Sequence, residues 1–129
     1  MSLQKRRGVF CSRLVRLTVG ETAPRGAHLE NLVLSDLLAW RDATTDEAAI
    51  LCWRTTAGDE VDFVIEKDGF LLPIEVKATL RPSLADTRSL KLFRTEYRDR
   101  ARAALLLHAG RDITWLADGI LAAPWWRVI

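Results

Sequence analysis

The apolar positions of this chain change their period several times, and each change marks an element. Leu29, Leu32, Val33 and Trp40 recur at helical spacing with Leu37 beside them, which predicts a helix from about Arg25-Gly26 to Trp40. Glu30 lies next to that stripe, on the side of Val33, Leu34 and Leu37. Arg41 to Glu47 is polar and reads as a connection. Ile50 to Thr56 (ILCWRTT) reads as a strand and Ala57-Gly58-Asp59 as a turn; Glu60–Glu66 and Phe70–Ala78 follow as two strands around Asp68-Gly69. A second helix is expected over about Thr87 to Arg100. There Leu90, Phe93 and Tyr97 form one buried stripe, while Arg88, Lys91, Arg94 and Arg98 fall mostly away from it. Ala103 to His108 (AALLLH) is short and continuously apolar, as a strand buried on both faces is. Ile113–Leu116 and Gly119–Ala123 predict a closing hairpin around Asp118-Gly119, after which Pro124-Trp125-Trp126 ends the domain. Val9 to Val19 (VFCSRLVRLTV) alternates partly like a strand and also fits a helical turn. The order is helix, three strands, helix, strand and a small β addition, which is a mixed α/β pattern.

The turn at Asp68-Gly69 sets a register. A two-residue type I′ loop requires positive φ at both positions, which this dipeptide accepts. Lys67 then pairs with Phe70. One face carries Val61, Phe63 and Ile65 against Val76, Ile74 and Leu72; the other carries Glu60, Asp62, Val64 and Glu66 against Lys77, Glu75, Pro73 and Leu71. A three-residue loop would mix the two faces. Asp62 is therefore expected directly across from Glu75, in a non-hydrogen-bonded pair where side chains approach closest. Pro73 takes the same kind of position and removes no bond from this ladder. Facing like charges destabilise a strand pair unless something compensates. A hard divalent cation held by oxygen ligands would do so, and Lys77, two residues from Glu75, could stabilise negative charge on a phosphate. The plainer alternative is a solvated sheet face on which Lys77 neutralises Glu60 and Glu75.

Composition narrows the class but not the partner. The chain has 129 residues, the size of one domain, and a formal net charge of +2 singles out no ligand. Charge distribution says more. Lys5, Arg6, Arg7, Arg13 and Arg16 form a run without an acid, and the Arg81–Arg102 stretch is rich in arginine. Such clusters suit phosphates or a solvated surface equally. Cys11 and Cys52 are the only cysteines, too few for a disulfide framework or zinc knuckle, so a reducing cytoplasm is the default and Cys52 reads as a small buried hydrophobe. No apolar run approaches a membrane span and no secretory signal is visible. His28 and His108 stand in no catalytic or metal-binding spacing, and Trp125-Trp126 reads as core or docking surface. Met1-Ser2-Leu3 resembles an expression remnant, so a longer parent chain is expected.

Asp62, then Glu75-Val76-Lys77 on the next strand, after a helix bearing Glu30, resembles the signature of the PD-(D/E)XK nuclease superfamily. The resemblance implies a restriction-endonuclease-like α-β-β-β-α-β core, with a mixed sheet flanked by helices. It implies Asp62 and Glu75 as ligands of Mg²⁺ or Mn²⁺ with the Val76 carbonyl, Lys77 as the catalytic lysine, and Glu30 as a helical acid completing the site. Val61 stands where the motif's proline would be. The strings GAHLENLVLSDLLAW, WRTTAGDEVDFVIEKDGFLLPIEVKA, RSLKLF and DGILAAPWW look like a nuclease-fold domain that commonly follows an AAA+ ATPase module in prokaryotes. That places the nuclease-like domain at residues 26–129 and leaves 1–25 as a poorly assigned segment, because GVFCSRLVRLTVGE fits the family's upstream pattern badly. The implied function is metal-dependent phosphodiester hydrolysis of nucleic acid, with Arg88, Lys91, Arg94 and Arg98 as backbone contacts. The other class is a catalytically silent DNA-binding or protein-interaction module of such an ATPase. Implied partners are nucleic acid, the ATPase module and, as a homo-oligomer, further copies of the chain. No GxxxxGK[ST] occurs, so no ATP site is expected in this chain.

Overall fold

A computed structural model describes residues 8–12, 25–44 and 47–128 of the chain. Its elements are β1 (Val9–Ser12), α1 (Arg25–Ala43), β2 (Ala49–Arg54), β3 (Glu60–Lys67), β4 (Phe70–Lys77), α2 (Arg88–Glu96), β5 (Ala104–His108), β6 (Thr114–Ala117), β7 (Ile120–Pro124) and α3 (Trp125–Val128). A 3-10 turn over Leu84–Thr87 leads into α2. The helix-strand order read from the apolar pattern is the order observed. Of the ambiguous Val9–Val19 stretch, Val9–Ser12 is strand and the remainder lies outside the described residues.

The strands form one mixed seven-stranded sheet in the order β1-β2-β3-β4-β5-β7-β6. β1 to β4 pair antiparallel, β5 runs parallel to β4 and to β7, and β6 closes the edge antiparallel to β7. Both faces are covered. On one, Val33, Leu34 and Leu37 of α1 pack with Ile50, Phe63, Ile74 and Leu107, and Trp125 of α3 adds to the edge of that cluster. On the other, Leu90 and Phe93 of α2 pack with Trp53, Val61, Val64, Leu71, Leu106 and Ile120. This is why AALLLH carries no polar alternation: Leu106 serves one core while Leu105 and Leu107 serve the other. The buried stripe of α1 is Leu29, Val33, Leu34 and Leu37, whereas Leu32 and Trp40, expected on it, are exposed. Only the residues facing the sheet are covered, and the sheet lies one position further round the helix than the spacing suggested.

The hairpin between β3 and β4 follows the expected register from Lys67↔Phe70 to Phe63↔Ile74. Asp68 and Gly69 both have positive φ, 53° and 83°, as the type I′ turn demands. The face assignment holds only in part. Val64 and Leu71, placed on the charged face, are buried beneath α2, so that face is a second core over the half nearest the turn. Val61 is displaced as well. Between Leu51↔Val64 and Trp53↔Val61 the β2–β3 register shifts by one, so Asp62 and Phe63 together face Cys52. This β-bulge breaks strict alternation: Phe63 and Ile65 point to the α1 side, while Val61 joins Trp53 on the α2 side. Cys52 is buried in its strand, as expected, but it is also disulfide-bonded, which its reading as a small hydrophobe did not include; Cys11, the other cysteine of the sequence, is its Cα partner across β1 and β2. Sequence separation gives no hint of that juxtaposition, which strand register alone creates.

Candidate active site

The bulge on β3 sits where the β3–β4 ladder ends. Beyond Phe63↔Ile74 the two strands are joined through carboxylates. The Val76 amide donates to Asp62 Oδ2 at 2.9 Å, and the Asp62 amide donates to Glu75 Oε1 at 3.1 Å. Each acid thus accepts a main-chain N–H from the neighbourhood of the other. The expected cross-strand pairing of Asp62 and Glu75 is present as proximity, but it is not a regular ladder pair. The strands part here, and the opening becomes a cavity.

That cavity, about 310 Å³, is lined by Glu30, Gly58, Glu60, Asp62, Glu75, Val76, Lys77 and Ser89. All five residues expected at the site, Glu30, Asp62, Glu75, Val76 and Lys77, therefore share one space. Three others were not singled out. Glu60 follows the same strand alternation as Asp62, which could have found it. Gly58 comes from the β2–β3 turn, with φ of 94°. Ser89 enters from the first turn of α2, and no pattern in the sequence marks it. Glu30, Glu60 and Asp62 also border a second polar cavity, about 220 Å³, with Cys52, Trp53, Arg54 and Val61. Arg54 Nε stands 3.4 Å from Glu60 Oε1 there.

Electrostatically the centre is Glu75. Its residue is 6% exposed. Burial, then the negative charge of Asp62, pushes its carboxyl up to about 8; the Lys77 ammonium and the amide hydrogen bond pull the other way and do not win. Lys77 Nζ lies 3.6 Å from Glu75 Oε2, with its side chain 43% exposed. A buried acid at the limit of ionisation, a second acid facing it and a half-exposed lysine form a site poised to accept positive charge. Among the described residues, no three His, Cys, Asp or Glu side chains are gathered closely enough to hold a metal ion by themselves.

The basic residues of α2 divide. Arg88 is exposed and pairs with Asp59 at 3.4 Å. Lys91 and Arg98 are exposed and line a groove of about 440 Å³ with Arg94, Thr95 and the β6–β7 turn. Arg94 does not match its reading as a nucleic-acid contact. Its guanidinium donates to the carbonyls of Ala101 (3.2 Å), Asp118 (2.7 Å) and Arg102 (2.9 Å), bracing α2 to the strands beyond it. A Cβ at Gly119, where φ is 72°, would lie 2.5 Å from that guanidinium, so glycine is required twice over. His108 is structural, as expected: Nδ1 accepts from the Gly110 amide at 2.9 Å, which leaves Nε2 to donate to the Asp112 carbonyl at 3.0 Å. Trp125 packs on the α1-side core and Trp126 is exposed.

The fold and pocket define a three-layer mixed α/β domain with a carboxylate–lysine site at a break in its central sheet. A family model described as "Domain of unknown function (DUF4143)" matches residues 25–128, and the chain belongs to that family. No curated protein and no solved structure matches the chain significantly. No helix of the described residues is long and apolar enough to cross a membrane.

Proposed function

We propose that this domain has a restriction-endonuclease-like core and hydrolyses phosphodiester bonds of nucleic acid with a divalent cation, Mg²⁺ or Mn²⁺. The observation that carries the reading is the convergence of Asp62, Glu75 and Lys77 where the β3–β4 ladder opens. The element order from α1 through β5 supports the core. The donor set fits such a cation: two carboxylates and the Val76 carbonyl are all oxygen, and Mg²⁺ typically takes one or two carboxylates while keeping several waters. The raised carboxyl of Glu75 fits it as well, since a cation would relieve the repulsion by Asp62 that helps hold the proton on. When bound, the ion would supply a nucleophilic water and Lewis-acid stabilisation of the phosphoryl oxygens.

The chain's own residues have distinct tasks in this reading. Asp62 and Glu75 are oriented by the Val76 and Asp62 amides while both line the cavity. Lys77 brings three N–H donors to the mouth of the site, where it hydrogen-bonds a phosphate oxygen. Glu30, from α1, adds a third acid to the same wall. We place the domain beside an AAA+ ATPase module in its parent chain.

The test is cleavage of mixed single- and double-stranded DNA with Mg²⁺ or Mn²⁺ by the protein and by Asp62→Ala. Loss of cleavage in the variant is expected; equal activity in both overturns the assignment. A second reading is favoured by two observations. Each carboxylate already has a protein hydrogen bond, and the described residues hold no ready-made metal cluster. On that reading the domain is a silent DNA-binding or interaction module. Calorimetry with Mn²⁺ separates the two: binding below millimolar concentration supports the enzyme, and its absence supports the module.

A further inference from the structure

Helix α2 starts at the carboxylate cavity and ends at the groove beside the β6–β7 turn. We propose that the exposed cations Arg88 and Lys91 of α2, with Arg98 in the turn just beyond it, are a rail for the sugar–phosphate backbone of the nucleic acid whose phosphodiester the cavity takes, while Ser89 donates on the cavity side of the helix. This rests on the functional reading above. Ser89 lines the cavity with Asp62, Glu75 and Lys77, and its hydroxyl has no partner among the described residues. The cavity is therefore lined by acids from α1, β3 and β4 and by an O–H donor from α2.

Arg88 stands at the rim, with its side chain 80% exposed and Asp59 at 3.4 Å. The Asp59 side chain is 12% exposed, but the guanidinium itself stands in solvent, where it can meet a phosphate as well as Asp59. Asp59 keeps its seat when Arg88 leaves, because its amide donates to Thr55 Oγ1 at 3.0 Å and the Thr55 amide donates to its carbonyl at 2.9 Å. Lys91 and Arg98 continue the line into the groove and have no ion pair among the described residues. Arg94 is excluded from the rail, because its three carbonyl partners hold it inward and set the groove wall. Glu96 is turned toward the Gly8 amide, which donates to it at 3.3 Å, so it is engaged away from the basic line. At a rise of 1.5 Å per residue α2 itself is roughly 12 Å long, and Arg98 stands in the turn past its end. Along the axis of duplex DNA, at 3.4 Å per nucleotide of one strand, that is about three to four nucleotides.

The test uses the whole chain, a fluorescein-labelled 20-base-pair DNA of mixed sequence, and EDTA to prevent cleavage. Anisotropy titrations from 50 to 200 mM KCl yield the slope of log affinity against log salt. Each phosphate contact contributes about 0.9 to that slope. The Arg88→Gln/Lys91→Gln/Arg98→Gln variant is expected to lose between about 2 and 3 of it. Arg41→Gln/Arg111→Gln/Arg127→Gln removes the same charge elsewhere and is expected to change it by less than about 1. Ser89→Ala is expected to weaken binding several-fold with the slope unchanged, as loss of a neutral donor does. Equal losses in the two triple variants overturn the rail, as does a slope unaltered by the α2 triple. The outcomes of the two proposals are separable. Retained cleavage in Asp62→Ala with a reduced slope in the α2 triple removes the site assignment and leaves the rail. Lost cleavage in Asp62→Ala with an unaltered slope removes the rail and leaves the site.

Discussion

Replacing Glu75 by glutamine should stabilise this protein above neutrality, and the size of the effect follows from its surroundings. The folded carboxyl is raised from 4.5 to about 8, by burial first and by Asp62 second. A carboxyl that holds its proton more tightly when folded contributes stability that is fully present below about 4.5 and is lost as pH rises to about 8. Each pH unit in that window costs about 1.4 kcal/mol, so an upper bound at pH 7 is about 3 kcal/mol. Glutamine keeps the oxygen that accepts the Asp62 amide and removes the titration. It also gives up the Lys77 contact, which is long at 3.6 Å and reaches a carboxyl that stays mostly protonated below about 8. The net expectation at pH 7.5 is a gain of about 1 to 3 kcal/mol, shrinking to within about 1 kcal/mol at pH 5. Urea denaturation at pH 5, 6, 7 and 8 in EDTA measures it, because only the difference between variant and parent isolates this group. Parallel stability curves for the two proteins across that range would refute the argument that Glu75 is held protonated by burial and Asp62.

Other expectations test the framework around the site. Phe63→Ala, which empties a fully buried position between α1 and the sheet, should cost about 3 to 5 kcal/mol in urea denaturation. Arg94→Met should cost about 2 kcal/mol, because three carbonyls lose a charged donor, and should lower the melting temperature without abolishing the fold. Gly69→Ala meets open space and should cost only the left-handed strain, about 1 to 2 kcal/mol. Gly119→Ala should cost more than Gly69→Ala in the same melt, since it also displaces Arg94.

Much of the sheet was legible because its signals are local. A dipeptide that tolerates positive φ places a turn, and a turn of known length places every residue of the hairpin; the pairs from Lys67↔Phe70 to Phe63↔Ile74 followed. The stripe of Leu90 and Phe93 and the unbroken run of AALLLH were equally local. What failed depended on a neighbour remote in sequence. The burial of Val64 and Leu71 depends on α2 folding over them. The side taken by Val61 depends on an extra residue in β3, which only pairing with β2 reveals. Arg94 looked like a surface cation because the carbonyls that hold it come from residues further along the chain and from the β6–β7 turn.

The amino-acid sequence by itself determined the element order, the hairpin turn and the convergence of Asp62, Glu75 and Lys77 on one space. These rest on period, turn chemistry and residue type, each expressed within a few neighbouring positions. Tertiary structure alone decided that the ladder opens at Asp62, that Glu75 is buried deeply enough to hold its proton, and that Ser89 reaches the same space. Those outcomes depend on desolvation and on register between strands and helices distant along the chain, and neither quantity exists until the layers have packed.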